Sequence, residues 1–128
     1  DYVKNQDQYK MINADYVKSA RMKFKKESIF VIFSDDITWC KKNIKMDNSD
    51  VFVENQNEVF DLYLMSLMKN NIISNSTFSW WAAYLNKNKN KKVVSPAEWF
   101  GPKLKKQGYY TDSDLLLDEW ITIWKKMI

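Results

Sequence analysis

Apolar positions along the chain follow two alternating rhythms. Over residues 8 to 26, Met11, Tyr16, Ala20 and Phe24 recur at helical spacing with lysines on the other faces, which predicts an amphipathic helix. The run "SIFVIFS" (28 to 34) is apolar, β-branched and short, and reads as a buried strand. Residues 35 to 45 open on two aspartates and close on lysines, the polarity that suits a helix dipole. Then come "DVFVE" (50 to 54) as a strand, 57 to 70 as a helix apolar round most of its circumference, and "NIIS" (71 to 74) as a third strand. "FSWWAAYLN" follows as a helix, and "KKVVSP" (91 to 96) as a fourth strand.

This alternation predicts an α/β fold, a Rossmann-like parallel sheet built from residues 28 to 33, 51 to 53, 71 to 74 and 92 to 95 with crossover helices between. Beyond Pro96 the period fails. That region holds Pro102 and both glycines, so a loosely structured extension is expected from about residue 97, ending in an apolar tail, "LLLDEWITIWKKMI", able to pack back.

The length of 128 residues suits one domain, 1 to 128, with its own core. With 45% hydrophobic and 28% charged residues the composition is that of a folded globular protein. No apolar run reaches the roughly 20 residues of a membrane span, and "DYVKNQDQYK" lacks the order of a signal peptide, so a cytoplasmic location is expected. Cys40, the single cysteine, sits among apolar neighbours as a small hydrophobe. The sequence has no histidine, which removes the commonest general base and most transition-metal sites. A net charge of +4 favours an anionic partner, whether phosphate, nucleic acid or a membrane surface; the lysines of "NKNKNKK" (86 to 92) read as a solvated loop.

Ligands of open α/β sheets bind beyond the carboxyl ends of the strands. Three polar clusters fall there: Ser34-Asp35-Asp36, Glu54-Asn55 and Asn75-Ser76-Thr77. Asp35 and Asp36 are two acids at a helix start, either caps or a weak metal signal. The segment "NSTFSWW" turns from strand into helix, and a helix N-terminus offers unpaired N–H groups and partial positive charge to a phosphate. Ser76, Thr77 and Ser79 add hydroxyls to that end. They are equally readable as ordinary capping residues, with Trp80, Trp81, Tyr84 and Leu85 as a core-facing patch. Asp61 lies inside the apolar "VFDLYLMSLM", where burial is costly without a partner. Its carboxylate suits the N1–H and amino group of guanine, and equally a first helical turn.

The segments "FSDDITWCK", "DLYLMSLMKNNIISNSTFSWWAAYLN" and "VVSPAEWF", in this order, resemble the C-terminal part of glycosyltransferase family 11, typified by α-1,2-fucosyltransferases; the resemblance runs from residue 1 to about 123. It implies the donor-binding domain of a GT-B enzyme that uses GDP-fucose, inverts the anomeric carbon and requires no metal or other cofactor. The implied partners are a nucleotide sugar and an oligosaccharide acceptor, with no nucleic acid; peripheral contact with a membrane is left open. By the same resemblance Asp61 reads guanine, Ser76, Thr77 and Ser79 lie near the pyrophosphate, and Asp35 and Asp36 contact the nucleoside or orient a phosphate-binding arginine. The family's His-x-Arg-Arg-x-Asp-Tyr motif is represented only by Asp1 and Tyr2, so this chain resembles a fragment expected to be inactive alone. The alternatives are a basic, aromatic-rich nucleic-acid-binding module and a non-catalytic interaction protein.

Overall fold

Strand and helix alternate as the apolar pattern predicts in the computed structural model, which describes residues 12 to 108 and 110 to 124. The elements run α1 (Ala14–Arg21), β1 (Val31–Ile32), α2 (Ile37–Asn43), β2 (Val51–Phe52), α3 (Glu58–Leu67), β3 (Asn71–Ile72), α4 (Thr77–Leu85), β4 (Val93–Pro96), α5 (Pro102–Lys105), a 3-10 turn (Asp112–Asp114) and β5 (Ile121–Ile123). Every strand pairing is parallel, so the α/β class holds. The arrangement departs from the expected single sheet of four strands. β1 pairs with β2, while β3, β4 and β5 form a separate sheet with β4 at its centre. The fifth strand comes from the apolar tail, where "ITI" is too short to show an alternation of its own.

Side-chain caps fix where the first three helices begin. Asn13, Asp36 and Asn57 accept from the N–H groups of Tyr16, Trp39 and Phe60 at 3.0, 2.9 and 2.8 Å. α1 stops at Arg21, so Phe24 lies beyond it and meets the Phe30 ring edge-on at 6.1 Å. Met11 lies outside the described residues.

The core gathers on the three-stranded sheet. Ile73, Ala83, Val93, Trp99 and Trp120 form its centre, with Trp80, Phe100 and Leu115 to Leu117 packed against them. β4 is buried along its whole length, as expected of a parallel strand covered on both faces. That strand ends in a proline, and the ladder shows the consequence. Asn71 N–H donates to Lys92 C=O and Ile73 N–H to Val94 C=O, so the next donor in register, to Ile73 C=O, would be the N–H that Pro96 lacks. The Tyr16 hydroxyl of α1 supplies it instead, donating to Ile73 C=O at 2.6 Å and lying 3.3 Å from Val94 C=O. Burial pushes the Tyr16 phenol far above its ordinary pKa, so it remains a donor at any working pH.

The expected solvated loop at 86 to 92 does more than carry charge. Asn86 Nδ2 donates to Met68 C=O at 2.7 Å and to Asn71 Oδ1 at 2.8 Å, binding the end of α4 to the start of β3. Lys91 Nζ donates to Ala83 C=O and Asn86 C=O, closing the C-terminal end of α4. The side chains of Asn86 and Asn88 accept from the N–H groups two residues on, which is why asparagine alternates with lysine here.

Two carboxylates link this framework to pH. Burial pushes Asp50 upward, but hydrogen bonds from Arg21 and the N–H of Met46 outweigh it and hold the carboxyl below its ordinary pKa. At Asp112 burial acts the same way and is outweighed by Lys105 and the N–H groups of Phe100 and Trp99. Both folded pKa values are depressed, so their stabilisation is fully present above the unfolded value of about 3.9 and is lost as pH falls through the folded values. Urea midpoints measured from pH 7 to pH 3 should stay level down to about pH 5 and then decline. A flat profile to pH 3 would contradict the assignment.

Candidate functional site

The loops after β1, β2 and β3 leave the carboxyl ends of their strands, as the sequence places them. After β1, Asp36 N–H donates to Ser34 Oγ at 3.0 Å while Asp36 Oδ1 receives Trp39 N–H, so Asp36 caps α2. Asp35 and Asp36 are both exposed. Cys40, one turn on, is buried, and burial first of all pushes its thiol up, with Asp36 and Asp35 adding to the effect and a hydrogen bond with Ser34 opposing it. It is the small hydrophobe that its neighbours suggested.

After β2, Glu54 pairs with Lys41 at 2.9 Å on the exposed surface. Asn55 takes φ 61°, a left-handed conformation that asparagine tolerates better than most residues, and the chain then enters α3 through the Asn57 cap. Asp61 stands in the first turn of α3. Its Oδ1 is buried and has no hydrogen-bond partner among the described residues. A carboxylate oxygen in that state is costly, and an arriving donor would relieve it.

After β3, Ser74, Asn75 and Ser76 turn the chain into α4. Asn75 is buried and donates from Nδ2 to Trp99 C=O at 3.3 Å. The buried Ser79 hydroxyl lies 3.2 Å from Ser74 C=O and 3.0 Å from Ser76 C=O and donates back into the turn. Ser76 holds the N-cap position in extended conformation, yet its side chain makes no capping bond. Thr77 is exposed. The three hydroxyls therefore differ: Ser79 fixes the turn, while Ser76 and Thr77 flank a helix start that no side chain closes.

The expected core-facing patch on α4 divides. Trp80 packs inward and donates from Nε1 to Leu115 C=O at 2.7 Å, stacked on Tyr84 at 4.9 Å. Trp81, Tyr84 and Leu85 are 49%, 51% and 48% exposed, so they do not belong to the core; the residues buried on α4 are Ser79, Ala82 and Ala83. The cause is size, because α4 lies close against α3 and that approach selects small side chains.

An open concavity of about 680 Å³ lies along the start of α3, lined by Gln56, Asn57, Glu58, Val59, Phe60 and Tyr63. None of the sequence-predicted residues lines it. Among the described residues no cluster of histidine, cysteine, aspartate or glutamate is able to hold a metal ion, and no helix is long and apolar enough to cross a membrane. Asp1 lies outside the described residues. Sequence reasoning placed Asn55 and Asn75 in the polar clusters at strand ends but gave neither an individual role, because a left-handed backbone and a buried amide leave no mark in an apolar pattern.

The family model for Glycosyl transferase family 11 matches residues 1–123. The chain belongs to that family. This family 11 chain is 41% identical over 101 residues to the O-antigen biosynthesis glycosyltransferase WbnK of Escherichia coli, a match covering 76% of this chain and 31% of that protein. It is 43% identical over 76 residues to an Alpha-1,2-colitosyltransferase of Escherichia coli, covering 56% of this chain and 26% of the relative. To the Galactoside 2-alpha-L-fucosyltransferase SEC1 of Bos taurus it is 29% identical over 99 residues, covering 74% and 26%. The chain thus spans about a third or less of the curated relatives it matches. No solved structure gives a significant match.

Proposed function

We propose that this chain forms the donor-binding part of an inverting, metal-independent α-1,2-fucosyltransferase that takes GDP-fucose and serves a galactoside acceptor. In the reaction an acceptor hydroxyl oxygen bonds to the fucose anomeric carbon from the face opposite the diphosphate and gives up its proton to solvent, while the bond from that carbon to the phosphate oxygen breaks and GDP departs with the electron pair. The observation that carries the reading is the buried, unpartnered Oδ1 of Asp61. Guanine presents two donors side by side, N1–H and the 2-amino group, and a carboxylate accepts both. Ser76, Thr77 and the first N–H groups of α4 take the diphosphate, where the helix dipole favours negative charge. Ser79 keeps the turn in place. Asp35 and Asp36 lie toward the nucleoside in this reading. The relatives lend support, since one is named as a fucosyltransferase and another as a colitosyltransferase. The latter makes a colitosyl donor the second substrate to test.

Calorimetry provides the test. GDP should bind more tightly than ADP or UDP, and Asp61→Asn, which replaces one acceptor oxygen by a donor, should reduce the preference by about tenfold, near 1.4 kcal/mol. Equal binding of all three nucleotides to the unaltered chain would overturn the assignment.

A further inference from the structure

Parallel pairing brings the amino ends of the strands to one end of the fold, opposite the exits that carry Asp35, Asp36, Glu54 and Ser76. The loops that enter the strands are tied into one floor. Lys92 Nζ, ahead of β4, donates to Lys23 C=O ahead of β1 at 3.0 Å, and Asn88 Nδ2 donates to Lys69 C=O ahead of β3, also at 3.0 Å. The Arg21 and Asp50 pair joins the entries to β1 and β2. Exposed on this floor are Lys23, Lys25 and Lys26 of the first loop and Lys87, Lys89 and Lys92 of the last. Beside them Met22 and Ile29 of the first loop are 77% and 67% exposed, and Leu67 and Leu85, the last residues of α3 and α4, are 61% and 48% exposed. We propose that this floor is a docking surface for an anionic phospholipid membrane.

Charge complementarity carries the proposal. The exposed acids of the same loops are Glu27 and Asp47, while Asp118 and Glu119 lead into β5 at the outer edge of its sheet. Asp50 is buried against Arg21 and neutralises none of the lysines. Lys91 already serves the last carbonyls of α4, and no described acid pairs with Lys87 or Lys89. A bilayer matches both parts of this face, offering phosphates and carboxylates to the lysines and an acyl boundary to the apolar side chains. Nucleic acid matches only the charge. The rings of these loops, Phe24 and Phe30, meet edge-on and lie under Lys92 and Arg21, at 5.4 and 4.0 Å, so neither offers an open face to a base. A second copy would set like charge against like. The strand exits of a docked chain face the water, away from the lipid.

Vesicle co-sedimentation of the 128-residue chain tests the floor without nucleotide, so its failure is separate from failure of the donor-site reading. Vesicles of phosphatidylcholine with about 30% phosphatidylserine should bind the chain at least about 30-fold more tightly than phosphatidylcholine alone. Raising salt from about 0.1 M to about 0.5 M should remove most of that difference. Lys87→Gln with Lys89→Gln should weaken binding to the anionic vesicles at least about tenfold, since each lysine held near such a surface contributes about fivefold. Lys103→Gln with Lys106→Gln removes the same charge from the segment that follows β4, at the other end of the strand, and should weaken binding less than about threefold. Circular dichroism checks that both variants keep the fold. Equal losses from the two pairs would overturn the proposal, because net charge and not the floor would then govern binding. So would absence of binding to the anionic vesicles, or displacement from them by a single-stranded oligonucleotide at an equal concentration of negative charge.

Discussion

Asp50→Ala should cost about 3 to 5 kcal/mol of unfolding free energy, a large share of a small domain's stability. The Asp50 side chain is fully buried and that of Arg21 is only 9% exposed, with Nη2 to Oδ1 at 2.6 Å and Nη1 to Oδ2 at 3.0 Å. Asp50 Oδ2 also accepts from Met46 N–H at 3.0 Å, so the one carboxylate holds both α1 and the turn before β2. Removing it strands a guanidinium between the Phe30 ring and a dry cavity. The double change Arg21→Met with Asp50→Leu should cost clearly less than Asp50→Ala alone, because it removes both charges and refills the volume. Urea unfolding followed by far-ultraviolet circular dichroism checks both; a loss below about 1 kcal/mol for the single change would mean that the pair is solvated.

The second large effect concerns turnover. Residues 1 to 128 by themselves should transfer fucose from GDP-fucose to a galactoside at least about 100-fold more slowly than a hybrid in which residues 12 to 124 replace the matched segment of the bovine galactoside 2-alpha-L-fucosyltransferase, with or without added divalent metal. A departing diphosphate needs cationic donors aimed at its developing charge, and losing one such donor typically costs roughly 2.7 to 4 kcal/mol. The sequence contains one arginine and no histidine. That arginine is Arg21, whose two terminal nitrogens, Nη1 and Nη2, already donate to Asp50. In the proposed reading the remainder of the relative supplies the cations and the acceptor cleft, so the hybrid should regain electrostatic stabilisation and positioning together. Radiolabelled transfer measures it, and equal turnover by the isolated chain would show that the clamp lies among residues not assigned to it here.

The sequence carried the alternation of strand and helix because burial imposes the two periods directly. β4 was legible because all of it is covered and its valines are apolar and β-branched, while Pro96, the one residue that argues against a central strand, stands at its end. β5 was not, since three residues beside Asp118 and Glu119 have no room for a pattern. The division into two sheets was hidden as well, because apolar runs reveal strands and not their neighbours. On α4 the two tryptophans looked alike in sequence, yet a helix turns about 100° per residue, and Trp80 and Trp81 consequently face different surroundings. The strand-exit clusters were placed correctly because polar residues at strand ends follow from chain direction alone. Which hydroxyl turns inward was not legible: Ser79 and Ser76 are the same residue type, and only the geometry of the turn at Ser74 separates them. Arg21 had no motif around it, and its ion pair with Asp50 bridges segments that are distant in sequence.

Tyr16 and Pro96 amount to one feature written at two distant places. A residue with its own N–H at position 96 would make the tyrosine hydroxyl redundant, whereas phenylalanine at position 16 leaves Ile73 C=O without a donor only while proline is present. The tolerance of each position is therefore conditional on the other, and the order of substitution matters. A lineage that loses the proline first becomes free to lose the tyrosine, and one that loses the tyrosine first passes through a weakened sheet.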